Sequence, residues 1–367
     1  MSDTILGYLE EYGGRTFIER PFGNPDVVAL SQLCYLKFDG LIGEGETVTL
    51  RGLHNHNSMA VMLEDPKYAK ENGKLFDRLS SSIRFRDLKI SHYRNIIDKE
   101  LQTQFCAMTF HLPENINFVA FRGTDETMVG WKEDFNLTYM DQVPAQRLST
   151  EYLTEAAEMI EGRFFVGGHS KGGHLSIYSS MHVPQEIQDR LINIYCLDGP
   201  GFMKSMLAHE GYDRIRERII KLIPQSSVVG MMSESDDKYT VIKSTGIGLL
   251  QHNLYKWEIK RGELVVEDDI NNRARVFDKT VNEWIEGLDQ EHRQKFVDSL
   301  YDIITSCDAD NRVDFVANFV RNVSQIRKTL QELDEETSQM MKEVMRVLLT
   351  SATINFAEEY IRNVLYK

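Results

Sequence analysis

The chain has 367 residues, a formal net charge of −14 and 27% charged side chains, with no block rich in lysine or arginine. That balance lacks the electrostatic footprint that nucleic acid or an anionic membrane surface requires. The length suits one large α/β domain with an added segment, or two domains, and either would bury a substantial core.

Four cysteines, Cys34, Cys106, Cys196 and Cys307, lie scattered without C-x-x-C spacing. This speaks against a zinc ribbon and a disulfide framework, and for reduced, mostly buried thiols. The opening "MSDTILGYLEEYGG" has acidic residues and no apolar stretch flanked by positive charge, unlike a secretory signal. No stretch approaches the roughly 18 apolar residues of a membrane span. The expectation is a cytoplasmic protein with no integral membrane segment.

Residues 1 to 95 are irregular in pattern and are expected to pack on or cap the core. One helix stands out, where Pro25 and Asp26 open a run with Val27, Leu30, Leu33 and Cys34 at helical spacing. Short strand-like pieces such as "ETVTLRG" surround it. From about residue 96 to 270 the texture is that of an α/β core. "QFCAMTFHLPENINFVAFRGTD" reads as two strands joined by a Pro/Asn turn, the second ending at Arg122 and Gly123. Leu153, Ala156, Ala157 and Ile160 then share one helix face that Gly162 closes. The strand "RFFVGG", a turn at Ser170 and a helix stopped by Pro184 come next. "LINIYCLDGPG" and "RIIKLIPQSS" supply two further strands around a helix over 201–217. Strands alternating with helices of this length indicate βαβ units and a mostly parallel sheet flanked by helices. Residues 271 to 367 read as a helical appendage: Phe277, Val281, Trp284, Ile285 and Leu288 form one stripe, Phe296, Leu300, Ile303 and Ile304 another, and neither glycine nor proline follows Gly287. These helices suit packing on the core or on a protein partner.

Gly168-His169-Ser170-Lys171-Gly172 matches G-x-S-x-G between an expected strand and an expected helix. In that context the serine is held up on a sharp turn tolerable only where its neighbours lack side-chain bulk. Upstream, "NFVAFRGTD" followed by "GWKEDFNL" resembles the strand and loop that class 3 (fungal-type) lipases place ahead of their nucleophile. The two motifs, in the right order, make residues 105 to 255 resemble that family of α/β-hydrolases, while the outer regions look more like a bacterial lipase-like branch. The resemblance implies an oxyanion contribution from Thr124, the residue after Arg122-Gly123, and a Trp-x-x-Asp matched by Trp131 and Asp134. Acyl transfer needs a second N–H donor from the residue after the nucleophile, which is Lys171. Arg122 and Asp134 are expected to brace the loop as an ion pair.

In this fold the acid and then the histidine follow the serine. His252, in "GLLQHNLYKW", lies beyond the last expected core strand and is the candidate base. His169 and His174 flank the elbow and read as supporting or packing residues, His182 and His209 fall in expected helices, and His292 lies in a charged helix. Class 3 lipases carry their acid after the strand matched by "RIIKLIP", where this chain has Gln225-Ser226-Ser227. Asp198, in "YCLDGPG" after the preceding strand, is the favoured acid, and vertebrate-type lipases draw theirs from that position. Asp236 and Asp237 are the alternatives.

The leading expectation is a serine hydrolase acting on a carboxylic ester, thioester or lipid-like acyl group without metal or organic cofactor. The departure at 225–227 keeps a catalytically silent α/β-hydrolase scaffold, binding protein through its C-terminal helices, as the alternative. A metal hydrolase built on His54-Asn55-His56 with Asp236 or Asp237 is the least favoured reading, since an H-x-H in a polar stretch is most often a loop.

Overall fold

The connection between β3 (Thr103–Leu112) and β4 (Ile116–Phe121) is three residues long, and Glu114 and Asn115 take positive φ there, 61° and 56°. So short a link permits only an antiparallel pair. The register runs from Ala107 opposite Phe121 to Leu112 opposite Ile116. Longer connections follow β4, and the chain changes to parallel pairing through β5 (Arg163–His169), β6 (Leu191–Leu197), β7 (Ile219–Pro224) and β8 (Tyr239–Ile242). β1 (Thr47–Thr49) and β2 (Lys89–Asp98) extend one flank antiparallel, and β9 (Val266–Glu267) closes the other against β8. The nine strands lie side by side in chain order. The sheet expected to be mostly parallel is therefore mixed, with five parallel strands at its centre and antiparallel flanks. In this computed structural model the described residues are 3–270, apart from 65–67, 99, 125–132, 134–136, 138–141, 203, 228, 232–237 and 247, together with isolated positions beyond 270 and most of 328–342.

Sequential parallel neighbours joined by right-handed crossovers put every crossover helix on one face. α5 (Pro144–Met159) and α6 (Lys171–His182) accordingly share a core with Glu210–Ile215, in which Tyr152, Leu153, Leu175, Tyr178 and Tyr212 meet Val119, Phe121, Phe164, Val166 and Cys196. The alternate strand residues point the other way: Phe118, Ala120, Phe165, Tyr195 and Leu197 pack against α1 (Ile5–Tyr12), α2 (Asn24–Leu33) and α4 (Ala69–Ser81). The period of two along each strand thus divides one sheet between two apolar layers. A short helix, α3 (His56–Met62), precedes α4.

The N-terminal layer is tied by a buried ion pair. Arg84 Nη2 donates to Asp26 Oδ2 at 2.6 Å and Nε to Oδ1 at 2.8 Å, while Nη1 reaches the carbonyls of Arg20 and Thr16. Tyr8 Oη also donates to Asp26 Oδ1, at 2.7 Å.

Residues 1 to 95 are more regular than their pattern suggests. The apolar face of α4 is spaced by charged residues, and β2 carries a bulge between Ser91 and Arg94, with His92 at φ 55°, that breaks its alternation. The helix expected over 201–217 is interrupted: Lys204–Leu207 and Glu210–Ile215 are separate, and His209 is not helical but caps the second by accepting the Gly211 N–H on Nδ1. Cys34, Cys106 and Cys196 are buried thiols. Among the described residues no helix is long and apolar enough to cross a membrane. The stripes expected over 277–304, and Cys307, lie outside them.

Candidate active site

The elbow is flanked by Gly168 at the end of β5 and Gly172 at the start of α6 because other backbone lies where their side chains would go. A Cβ on Gly168 would sit 2.4 Å from Phe121 O and 2.5 Å from the Gly172 carbonyl carbon, and one on Gly172 would sit 2.1 Å from Phe121 O. The end of β4 therefore packs directly on the turn. Ser170 holds φ 59° and ψ −130°, a region that residues with a Cβ seldom occupy. Its N–H is held by Leu197 O at 2.9 Å, and its carbonyl accepts from Gly173 and His174 N–H as α6 begins.

Asp198 follows β6, one strand over from the nucleophile strand. It is fully buried, at φ 49°, with its N–H on Leu222 O at 2.8 Å. His252 ends the 3-10 turn Gly248–His252 beyond β8. Its Nδ1 lies 2.7 Å from Asp198 Oδ2. A carboxylate accepts, so Nδ1 donates, and in the neutral ring the lone pair is on Nε2. The His252 side chain retains 26% exposure against 1% for Asp198, which leaves the imidazole reachable and the carboxylate enclosed. Ser170, Asp198 and His252 all sit at the C-terminal ends of the parallel strands or in the loops beyond them, the edge where open α/β sheets hold their ligands.

The three residues that replace the family's acid loop have other partners. Ser227 Oγ donates to Asp198 Oδ1 at 2.5 Å and itself accepts from Gly230 N–H. Ser226 N–H donates to Gln251 Oε1, beside the base, and Gln225 exchanges two hydrogen bonds with the Ser244 backbone. A Cβ on Gly230 would lie 2.4 Å from Asp198 Oδ1, so only glycine leaves room for the buried carboxylate. Asp236 and Asp237 lie outside the described residues.

The loop after β4 packs on the elbow. A Cβ on Gly123 would sit 3.0 Å from Ser170 Cβ and 2.5 Å from His169 O. Thr124, half-buried, comes next. Lys171 occupies the first position of α6, where a helix has no internal acceptor for its N–H groups. Arg122 donates from Nη2 to Asn95 Oδ1 at 2.9 Å; Asp134, its expected partner, and Trp131 lie outside the described residues.

Sequence reasoning missed the side chain of Lys171. It is buried, and Nζ donates to Glu133 Oε2 at 2.7 Å, Gln104 O at 2.6 Å and Gln104 Oε1 at 2.8 Å. Glu133, also buried, accepts from Gln104 N–H on Oε2 and from Ala145 N–H on Oε1. The residue after the nucleophile is thereby tied to the segment after β4 and to the start of α5. Lys171 and Glu133 lie 38 residues apart, so no local spacing pairs them.

The remaining histidines separate by partner. His174 is buried, its Nδ1–H donates to Gly201 O at 3.0 Å and its Nε2 accepts from Gln146 at 2.8 Å. Burial pushes its pKa down to about 4, which keeps it neutral and committed at both nitrogens. His54 pairs with Asp77, and among the described residues no group of three or more His, Cys, Asp or Glu is arranged to hold a metal ion.

A mixed sheet with a strained serine between a parallel strand and a helix, beside a histidine–carboxylate pair on the same sheet edge, defines a lipase-like α/β fold. A family model described as Mbeg1-like matches residues 79–302, more than half of the chain, and the chain belongs to the Mbeg1-like family. No functionally curated protein matches it. Solved structures similar to it include M37 lipase (14% identity, 57% of this chain and 69% of that chain, TM-score 0.37) and a fungal lipase–inhibitor complex (13%, 60% and 78%, 0.38). A mutant form of MDLA from Penicillium cyclopium also matches (11%, 66% and 83%, 0.39).

Proposed function

We propose that this protein is a serine hydrolase that cleaves carboxylic esters or related acyl groups through an acyl-enzyme on Ser170. The observation that carries the reading is the 2.7 Å contact between His252 Nδ1 and Asp198 Oδ2, which leaves Nε2 as a proton acceptor on the edge that holds Ser170. In the first half-reaction Ser170 Oγ attacks the acyl carbon as its proton passes to His252 Nε2. Asp198 stabilises the resulting imidazolium without taking its proton. The Lys171 and Thr124 N–H groups serve the oxyanion. Collapse of the tetrahedral intermediate breaks the ester bond, and His252 returns the proton to the leaving alcohol. Water then attacks the acyl-enzyme by the same route in reverse, releasing the acid and free Ser170.

A fluorophosphonate probe tests this directly. Wild type is expected to be modified at Ser170, with Ser170→Ala losing both labelling and hydrolysis of short acyl esters at unchanged Tm. Equal labelling of the two proteins overturns the assignment. A series of acyl esters of graded chain length, run beside Ser170→Ala, defines the acyl group accepted.

A further inference from the structure

The base is held from a second side, by residues on β5 and in the N-terminal layer. His169, 6% exposed, has Nε2 2.8 Å from the main-chain oxygen of His252. A carbonyl can only accept, so Nε2 carries the proton and Nδ1 is the acceptor. Tyr35, in the turn after α2, donates its hydroxyl to that Nδ1 at 2.8 Å. The rings of His169 and His252 lie against each other, centroids 4.3 Å apart and tilted by 38°. Tyr35 Oη also fills the space beside Gly123, where a Cβ would come within 2.2 Å of it.

We propose that His169, with Tyr35 donating to its Nδ1, is a positioning residue for His252, fixing the base's backbone and ring plane so that Nε2 meets Ser170. The proposal rests on the reading of Ser170, His252 and Asp198 as a triad. Asp198 constrains only one ring atom of His252, and the ring can still swing about that bond. The carbonyl contact fixes the backbone from which the ring hangs, and the stacked imidazole fixes the plane. A neutral His169 in this tautomer adds no positive charge beside the imidazolium that forms during attack. The main-chain oxygen of His252, which can only accept, sets the tautomer, and the Tyr35 hydroxyl satisfies the Nδ1 lone pair that this leaves.

The test is the second-order rate constant for fluorophosphonate labelling of Ser170, measured in the full chain. His169→Leu removes both hydrogen bonds and the ring, and is expected to slow labelling roughly 10- to 100-fold, the scale of a displaced catalytic group. His169→Gln places an amide N–H within reach of the same carbonyl and should recover most of the rate. Tyr35→Phe keeps the packing and should lose a few-fold. The proposal is overturned if His169→Leu labels at the wild-type rate. It is equally overturned if Leu and Gln variants are slowed alike, which marks a purely structural residue. Where His169→Leu does not fold, Tyr35→Phe decides: a wild-type rate overturns the proposal. Absence of Ser170 labelling in wild type removes the triad and this proposal together, whereas Ser170-dependent labelling indifferent to His169 removes this proposal alone.

Discussion

The Asp198 carboxylate is enclosed and holds two hydrogen bonds of different kinds, one from the His252 imidazole and one from the Ser227 hydroxyl. Replacing a triad carboxylate with its amide presents the wrong donor to the imidazole and costs about 10⁴ in turnover with the geometry intact. Asp198→Asn is expected to lose that much esterase activity, measured as kcat, and its combination with His252→Ala to be little worse than either single change. Ser227→Ala removes only a supporting bond and should fall well short of that loss. A second prediction at this scale concerns His174. Burial depresses its folded pKa to about 4 from the ordinary 6.5. The unfolded chain therefore binds the proton first as pH falls. The stabilisation is present above the unfolded value and is lost as pH drops from about 6.5 towards 4. Lowering the pH from 7.5 to 5 should cost about 2 kcal/mol through this residue alone. Urea midpoints of wild type and His174→Phe at the two pH values check it: the variant should show the flatter dependence.

At the scale of elements, the elbow and the segment after β4 act as one unit because Lys171 and Glu133 are joined inside the protein. Removing one partner of a buried ion pair leaves an uncompensated charge and costs about 3–5 kcal/mol, whereas removing both is often close to neutral. Lys171→Met and Glu133→Leu should each lower stability by that order, and the double variant should recover a large part of it. A double-mutant cycle on denaturant midpoints measures the coupling, and strictly additive losses would show that the two side chains act separately. Labelling of Ser170 should fall in the single variants too, because the Lys171 backbone N–H and the loop at Thr124 move with the side-chain contact.

For the molecule as a whole, the sheet is stabilised from two sides by different parts of the chain. The crossover helices cover one face, and α1, α2 and α4 cover the other, with Arg84 and Asp26 buried between them. The N-terminal layer reaches the site through Tyr35, so its loss should be felt at the nucleophile. Arg84→Met leaves the Asp26 carboxylate buried without its guanidinium and is expected to destabilise by about 3–5 kcal/mol. Thermal unfolding followed by far-UV circular dichroism and by Ser170 labelling should give coincident transitions at a lowered Tm. Labelling that survives far above the melting of the secondary structure would mean that the N-terminal layer is independent of the site.

The sequence alone carried the elements whose signals are local. α2, α5, β3, β4 and the β5–Ser170–α6 elbow are written in runs of apolar residues opened or closed by glycine or proline, and G-x-S-x-G marks a backbone that side-chain bulk forbids. Chain order and turn chemistry brought His252 and Asp198 forward as candidates. What required the tertiary structure is everything set by pairing across the sheet. The outer strands β1, β2 and β9 are short or broken by a bulge and are held by neighbours far along the chain, and the apolar face of α4 is interleaved with charged residues. The joining of His252 to Asp198 depends on three strands lying in sequential order, so that loops 54 residues apart meet at one edge. The parts played by Ser227, His169, Tyr35 and the Lys171–Glu133 pair have no local signature at all. A hydrogen bond constrains only the distance between two atoms, and no spacing along a chain records that distance until the sheet has folded.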